Sequence, residues 1–252
     1  MVFRIIPRLD IKPPYLVKGI NLEGVRKLGD PSEFAAKYYL QGADELFYQD
    51  VVASLYGRKS FLQLIHHTAE EIFVPLTVGG GLRSLDDIQN VLRHGADKVC
   101  INTSAVENHN FISEAAERFG SQCIVAALEV IRKRDGREGW EPLVNNGREH
   151  TGLDAEEWAQ QVVALGAGEL LITSIEQEGT RKGFDFEFID KIKQKISVPI
   201  ILHGGAGSVS DIVNAAQKGM SGVAISSILH YEVANIMEIK STLEKEDIEV
   251  RK

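Results

Sequence analysis

Leu76-Thr77-Val78-Gly79-Gly80-Gly81-Leu82-Arg83-Ser84 is a hydrophobic, strand-like run that ends in three glycines and a serine suited to begin a helix. A similar stretch, Ile201-Leu202-His203-Gly204-Gly205-Ala206-Gly207-Ser208, follows in the second half of the 252-residue chain, with 125 positions between Gly79 and Gly204. A strand that runs into glycines and then into a helix presents free backbone N–H groups to an anion. Two such loops in matching halves predict a ligand that carries two phosphates.

Strand-like runs alternate with amphipathic helical patterns along the whole chain. The strands are predicted at residues 4–11, 45–51, 74–78, 98–102, 123–130, 169–173, 199–202 and 222–226. Strands that alternate with helices imply a parallel sheet. Eight such units in about 250 residues have the size of a (βα)8 TIM barrel, which is the fold class that we expect.

An internal repeat extends beyond the glycine loops. Gly42 and Gly166 each end a helix before a strand and lie 124 positions apart, and Ile101-Asn102-Thr103-Ser104 matches Ile225-Ser226-Ser227-Ile228 at the same spacing. No change of composition divides the two halves. We therefore expect one barrel domain over residues 1–252, built from two half-barrel repeats.

Composition excludes several classes of protein. The net charge is −8, which argues against nucleic acid or an anionic membrane as the main partner. No apolar run approaches the ~18 residues that a membrane helix needs, and the N-terminus enters a strand directly, so we expect a cytoplasmic protein. The seven histidines form no zinc-type spacing, and we expect neither a metal nor a cofactor.

Two acidic residues end equivalent strands. Asp10 ends the first strand and Glu129 ends the fifth, so they should face one another across the mouth of the barrel, where the chemistry of such folds is located. Opposed carboxylates suit general acid/base catalysis, because one can give a proton while the other takes one. The alternative is that each is only a solvated acid at a strand end.

Polar residues after the fourth and eighth strands are placed to join the glycine loops around each anion. The predicted phosphate-binding residues are Gly80, Gly81, Asn102 and Thr103 in the first half and Gly204, Gly205, Ser226 and Ser227 in the second. Lys18 would add a positive charge to the first of these sites, although a single lysine is more often a surface residue.

Four charged residues stand at the opposite ends of strands. Arg4, Glu45, Lys98 and Glu169 begin the first, second, fourth and sixth strands and should ring the floor of the barrel. Inward barrel positions are normally apolar, and two positive and two negative charges can neutralise one another there. The ring is either a structural plug or a gate to a central channel.

Six motifs together resemble the HisF family, the cyclase subunit of imidazole glycerol phosphate synthase, over essentially the whole chain. They are Arg4-Ile5-Ile6-Pro7-x-Leu9-Asp10, Leu76-Thr77-Val78-Gly79-Gly80-Gly81, Asp97-Lys98-Val99-x-Ile101-Asn102-Thr103, Phe119-Gly120-Ser121-Gln122, Gly166-Ala167-Gly168-Glu169 and Gly204-Gly205-Ala206-Gly207. The resemblance implies a barrel that receives ammonia from a HisH-like glutaminase docked on its floor, near Asp97. It also implies catalytic roles for Asp10 and Glu129 and an ammonia gate formed by the floor ring.

The chain departs from the family at the mouth. The second catalytic residue is usually Asp, and here it is Glu129; Glu176 and Glu178 also replace Asp in a motif that places Glu178 and Gly179 at a phosphate. Arg8 and His203 stand where Cys and Ser are usual, and Val52 where Thr is. An added methylene moves a carboxylate by roughly 1 Å, which can cost about 10²-fold in rate.

Those departures resemble the WbuZ-type branch of HisF-like proteins. The similar stretches are Arg8–Lys12, Gln49–Arg58 and Asn146–Gly152. This branch implies ammonia supply to a sugar amidotransferase in surface-polysaccharide synthesis. The alternatives are a true histidine-pathway cyclase, a sugar-phosphate isomerase of the HisA kind, against which the complete floor ring argues, and a scaffold that only activates the glutaminase.

Overall fold

A computed structural model describes residues 2–52, 58–134 and 138–251, apart from the side chain of Arg58. The strands are β1 (Arg4–Lys12), β2 (Tyr15–Ile20), β3 (Glu23–Gly29), β4 (Leu46–Asp50), β5 (Leu76–Gly79), β6 (Lys98–Ile101), β7 (Ile124–Arg132), β8 (Trp140–Val144), β9 (Glu149–His150), β10 (Glu169–Ser174), β11 (Ile200–His203) and β12 (Gly222–Ile225). The helices are α1 (Pro31–Leu40), α2 (Arg58–Glu71), α3 (Leu85–Arg93), α4 (Thr103–Glu107), α5 (Asn110–Phe119), α6 (Ala155–Ala164), α7 (Phe186–Ile192), α8 (Val209–Gln217), α9 (Ser227–His230) and α10 (Ile236–Lys245).

Eight of the strands pair in parallel and close into a ring. Their order is β1, β4, β5, β6, β7, β10, β11 and β12, and β12 pairs again with β1. Helices connect successive strands and cover the outside of the ring, where the main apolar core lies between the two layers. The predicted (βα)8 barrel is confirmed.

The register of the strands shows the two half-barrels. Gln49 of β4 lies beside Gly79 of β5, and Thr173 of β10 lies beside His203 of β11. Each residue of the first pair thus has its counterpart in the second pair, 124 positions later. His203 is therefore the structural equivalent of Gly79, one position away from the glycine-to-glycine match that the sequence offers.

The helices that follow the glycine loops begin in the same way. Ser84 caps α3 and Ser208 caps α8, and in each case an aspartate three residues later returns a hydrogen bond to the capping residue. These reciprocal capping boxes satisfy N–H groups that have no partner within the helix. They too are 124 positions apart, which fixes Gly80 and Gly81 as the equivalents of Gly204 and Gly205.

A small apolar layer fills the inside of the barrel between its floor and its mouth. Its buried members come from seven different strands: Ile6, Phe47, Cys100, Val125, Leu171, Ile201 and Ala224. Such a packed layer is the usual interior of this fold. Any molecule that crosses the barrel must pass it.

Two antiparallel hairpins extend from equivalent strands. β2 and β3 fold back on β1, while β8 and β9 fold back on β7. Between β7 and β8, residues 135–137 lie outside the described part. The first hairpin was not predicted, because the side chains of β3 are mostly exposed and show no apolar alternation. Within the described residues, no helix is long and apolar enough to cross a membrane.

Candidate functional site

The two predicted carboxylates occupy equivalent positions at the mouth. Asp10 of β1 pairs in register with Gln49, and Glu129 of β7 pairs with Thr173, the equivalent of Gln49. Both side chains are buried, with 4% and 6% of their surface exposed. Neither is therefore a solvated strand-end acid, and the symmetric placement expected from the sequence is confirmed.

Glu129 is held in a largely dry environment. The side-chain amide of Asn102 donates to its Oε2 at 3.1 Å and to the carbonyl oxygen of Leu143 at 3.1 Å. Burial raises the pKa of Glu129 to about 7, although the nearby charge of Arg8 and the hydrogen bonds act to lower it. A carboxyl group with this pKa can exchange a proton near neutral pH, as acid/base catalysis requires.

Arg8 lies beside Asp10 rather than in solvent. Its side chain is 2% exposed, Nε donates to Oδ1 of Asp10 at 3.0 Å, and the guanidinium stacks over the ring of Phe47 at 5.2 Å. Nη1 lies 3.3 Å from Nδ1 of His203. Nη2 is buried and has no hydrogen-bond partner among the described residues. The sequence placed Arg8 and His203 in the pocket but did not show that they contact each other.

His203 is a packed, hydrogen-bonded histidine. Its Nδ1 lies 3.1 Å from the hydroxyl of Thr173 as well as near Arg8, so this nitrogen accepts and the neutral ring carries its proton on Nε2. Burial, followed by the charges of Arg8 and Lys18, holds the pKa of His203 well below its usual value. The ring is neutral at physiological pH, which argues against a role as a proton donor.

The second glycine loop borders a narrow recess of about 20 Å³. Its lining includes Gly179, Gly204, Gly205, Ser226 and Ser227, as the sequence placed them, together with His203, Glu178 and Lys18. Lys18 forms an ion pair with Glu178, whose other oxygen accepts from the backbone N–H of Leu22 at 3.0 Å.

The expected position of Lys18 at the first anion site is wrong. Lys18 lies on β2, which folds antiparallel onto β1, and it lines the recess beside the second glycine loop. Its Nζ is also 3.9 Å from Oδ2 of Asp10. No pattern in the sequence indicates this hairpin, so the side of the mouth that Lys18 reaches was not predictable.

The first glycine loop borders a much larger cleft, of about 670 Å³. Gly80, Gly81, Asn102 and Thr103 line it as predicted, and the backbone N–H of Asn145 in the second hairpin donates to the Thr103 hydroxyl at 3.0 Å. At its base the lining residues are Cys100, Ala127 and Leu171, which border the apolar layer. This cleft therefore connects the mouth with the interior of the barrel.

The four predicted floor residues form a closed ring of ion pairs. Arg4 contacts Glu45 at 2.6 Å and also pairs with Glu169, while Lys98 contacts Glu45 at 3.0 Å and Glu169 at 3.1 Å. The charges alternate and cancel, as expected. Nearby, Asp97 is exposed on the floor, and its carboxylate accepts from the backbone N–H of Leu76 at 2.8 Å.

Across residues 2–52, 58–134 and 138–251, no group of three or more His, Cys, Asp or Glu side chains is arranged to hold a metal ion. The stretch Gln49–Arg58 carries part of the resemblance to the sugar-amidation branch, but its residues 53–57 lie outside the described part of the chain.

Comparison with known proteins identifies the family of the chain. A family model described as histidine biosynthesis protein matches residues 4–235. The chain is 54% identical over 208 residues to the imidazole glycerol phosphate synthase subunit HisF of Legionella pneumophila, covering 82% of this chain and 97% of that protein. It is 44% identical to proteins of the same name from Prochlorococcus marinus, over 252 residues (100% and 98%), and Alkaliphilus metalliredigens, over 250 residues (99% and 98%).

Proposed function

Because the chain belongs to the HisF family of histidine biosynthesis proteins, we propose that it is the ammonia-using cyclase subunit of an imidazole glycerol phosphate synthase. In this reaction, ammonia from a HisH-like glutaminase cleaves and cyclises a ribonucleotide with two phosphates. One observation carries the proposal: two buried carboxylates, Asp10 and Glu129, stand at equivalent strand ends above a barrel whose floor is a closed ring of four charges.

The ammonia route runs along the axis of the barrel. The glutaminase docks on the floor, where exposed Asp97 contacts it, and ammonia passes the ring of Arg4, Glu45, Lys98 and Glu169. Above the ring, the apolar layer favours the neutral molecule over the ammonium ion, because burying an unpaired charge is costly. Ammonia then enters the large cleft, whose base borders that layer.

The two carboxylates have different roles because their neighbours differ. Asp10 accepts a hydrogen bond from Nε of Arg8, and Nζ of Lys18 lies 3.9 Å from its Oδ2. Glu129 has a neutral donor, Asn102, and its pKa of about 7 lets it take and return a proton during turnover. We assign Asp10 as the carboxylate that Arg8 and Lys18 hold in place and Glu129 as the group that shuttles the proton.

The glycine loops hold the phosphates. Gly80, Gly81, Asn102 and Thr103 bind one of them within the large cleft, where both glycines have the positive φ angles that suit an anion-binding loop. Gly179, Gly204, Gly205, Ser226 and Ser227 border the other site. At about 20 Å³ that recess must widen before it can accept a phosphate, and the Lys18–Glu178 ion pair is the contact that has to move.

A second candidate function is ammonia supply for sugar N-amidation in surface-polysaccharide synthesis, with a sugar amidotransferase as a further partner. The contact between Arg8 and His203 favours it, because it holds the large His203 ring in the recess where a second phosphate would bind. Under this reading the floor and the channel keep their task while the ligand changes.

An ammonium-driven assay separates the two functions. The purified chain is mixed with the aminoimidazole-carboxamide bisphosphate substrate of the histidine pathway and excess ammonium at alkaline pH, and substrate loss is followed by ultraviolet absorbance. The proposal predicts turnover that the Asp10→Asn variant loses. Absence of turnover in a folded sample would refute the cyclase and favour sugar amidation.

A test with the partner distinguishes a conduit from a scaffold. With a HisH-like glutaminase bound, Lys98→Met opens the floor ring and should change glutamine-driven turnover relative to ammonium-driven turnover. An equal response of both reactions would contradict the proposed route. The exposed Lys195, which pairs with Glu156 outside the ring, provides a matched control as Lys195→Met.

A further inference from the structure

Arg8 has one hydrogen-bonding group that the protein leaves unused. Its Nε is bonded to Asp10 and its Nη1 contacts His203, but the buried Nη2 has no partner among the described residues. Leaving a buried donor unpaired is costly, and more so when the group is charged. Such a donor at the edge of a cleft is a candidate contact for a ligand.

Arg8 also lines the large cleft of about 670 Å³, together with Glu129, Asn102 and the first glycine loop. The strand register identifies the equivalent of Arg8 in the second half. Arg8 pairs with Phe47, and the equivalent pair is Ala127 with Leu171. The small side chain of Ala127 leaves room in the same cleft. One half of the repeat thus supplies the donor and the other supplies the space.

From this geometry we infer that Nη2 of Arg8 binds a neutral oxygen, a carbonyl or a hydroxyl, of the phosphorylated ligand in the large cleft. The inference rests on the proposed function only in taking that ligand to be a phosphorylated small molecule. It assigns Arg8 to ligand binding in addition to its contact with Asp10.

The surrounding charges exclude a phosphate at this point. Arg8 and Lys18 are already balanced by Asp10 and Glu178, which are buried beside them, and Glu129 adds a further acid. A dianion placed among these carboxylates would be repelled across short distances in a medium of low dielectric constant. A neutral oxygen satisfies the free N–H group without adding charge, and the phosphate remains at Gly80 and Gly81.

Binding of two simple probes tests the inference. Isothermal titration of the full chain compares ribulose 5-phosphate, which carries neutral oxygens beside its phosphate, with inorganic phosphate. We expect the wild type to prefer the sugar phosphate, and Arg8→Met to reduce that preference about tenfold or more, the effect of losing one hydrogen bond from a charged donor. Affinity for inorganic phosphate should change little.

Arg8→Lys is the second variant, because it keeps a positive charge beside Asp10 and so protects the fold while removing the planar fork of donors. It should lose the preference as Arg8→Met does. Retained preference in Arg8→Lys, equal weakening of both probes, or no preference in the wild type would overturn the inference. Failure of the cyclase assay with an intact Arg8-dependent preference would refute only the proposed reaction.

Discussion

Gly79 places no side chain beside the first glycine loop, where a cleft of about 670 Å³ opens, whereas its equivalent His203 lines a recess of about 20 Å³ beside the second glycine loop. The backbone is the same in both halves: the following glycine pairs, Gly80–Gly81 and Gly204–Gly205, all have positive φ angles. The difference in volume therefore comes from side chains. A repeated fold can thus keep two similar anion-binding loops while the cavities beside them differ in volume.

Neighbouring positions have changed together. A Cβ atom added to Gly79 would lie 2.5 Å from Oε1 of Gln49 and 3.3 Å from the Phe47 ring, so a side chain at this position requires Gln49 to move. In the second half, the shorter Thr173 replaces Gln49 and hydrogen-bonds His203 instead. The exchange of Gln49–Gly79 for Thr173–His203 is thus a coupled change that preserves packing.

The largest expected effect concerns the carboxylate on the Arg8 side. Asp10→Asn keeps the shape of the side chain but removes its charge, so ammonium-driven turnover should fall by about 10²–10³-fold, the usual cost of losing one preorganised electrostatic group. Initial rates at saturating substrate measure it. Glu107→Gln, an exposed acid at the rim of the same cleft, is the control and should keep wild-type rates. Equal activity of Asp10→Asn and the wild type would remove Asp10 from the mechanism.

The ionisation of Glu129 should change the stability of the folded protein. The pKa of Glu129 is about 7 in the folded protein, above its usual 4.5, so its contribution to stability is present below pH 4.5 and is lost as the pH rises through 7. Glu129→Gln mimics the neutral form and can still accept from Asn102. It should unfold like the wild type near pH 4 and be more stable by about 3 kcal/mol at pH 9.

Urea unfolding of both proteins at the two pH values measures this difference. Asp10→Asn serves as the matched control. Asn cannot form the ion pair that Asp10 makes with Arg8, so this substitution should not make the protein more stable at high pH. A stability difference between Glu129→Gln and the wild type that does not grow with pH would show that Glu129 is ionised throughout.

Filling the large cleft should have a smaller effect. Ala127→Leu adds apolar volume at the base of this cleft, at the register position in the second half that is equivalent to Arg8 in the first. We expect KM for the phosphorylated substrate to rise about tenfold, which corresponds to a loss of roughly 1.4 kcal/mol of binding free energy. Steady-state kinetics measure it, and Ala127→Gly, which adds no volume, should leave KM near the wild-type value. An unchanged KM in Ala127→Leu would place the ligand elsewhere.

Local patterns in the sequence predicted the parts of this molecule that depend on local order. Apolar periodicity located the eight barrel strands to within a few residues, and strand-end positions brought together Asp10 with Glu129 and Arg4 with the rest of the floor ring. Closure of a barrel places all strand starts at one end, so a ring follows from topology alone.

What the sequence did not show depends on contacts between distant residues. Arg8 and His203 are 195 positions apart, and Lys18 and Glu178 are 160 apart, so no local pattern links them. The repeat does carry a signal for one of these residues, because applying its 124-residue spacing to Gly79 leads to His203. The strand register then shows that Ala127 with Leu171 is the equivalent of Arg8 with Phe47.

The most direct test of unequal halves uses two equivalent hydroxyls, Thr103 of α4 and Ser227 of α9, which are 124 positions apart at the two glycine loops. The affinity of the chain for inorganic phosphate is measured by isothermal titration for the wild type, Thr103→Ala and Ser227→Ala. Because only the first loop borders a large cleft, Thr103→Ala should weaken binding severalfold, the effect of one hydrogen bond, and Ser227→Ala should leave it unchanged. Equal weakening by both variants, or a larger effect of Ser227→Ala, would contradict the account.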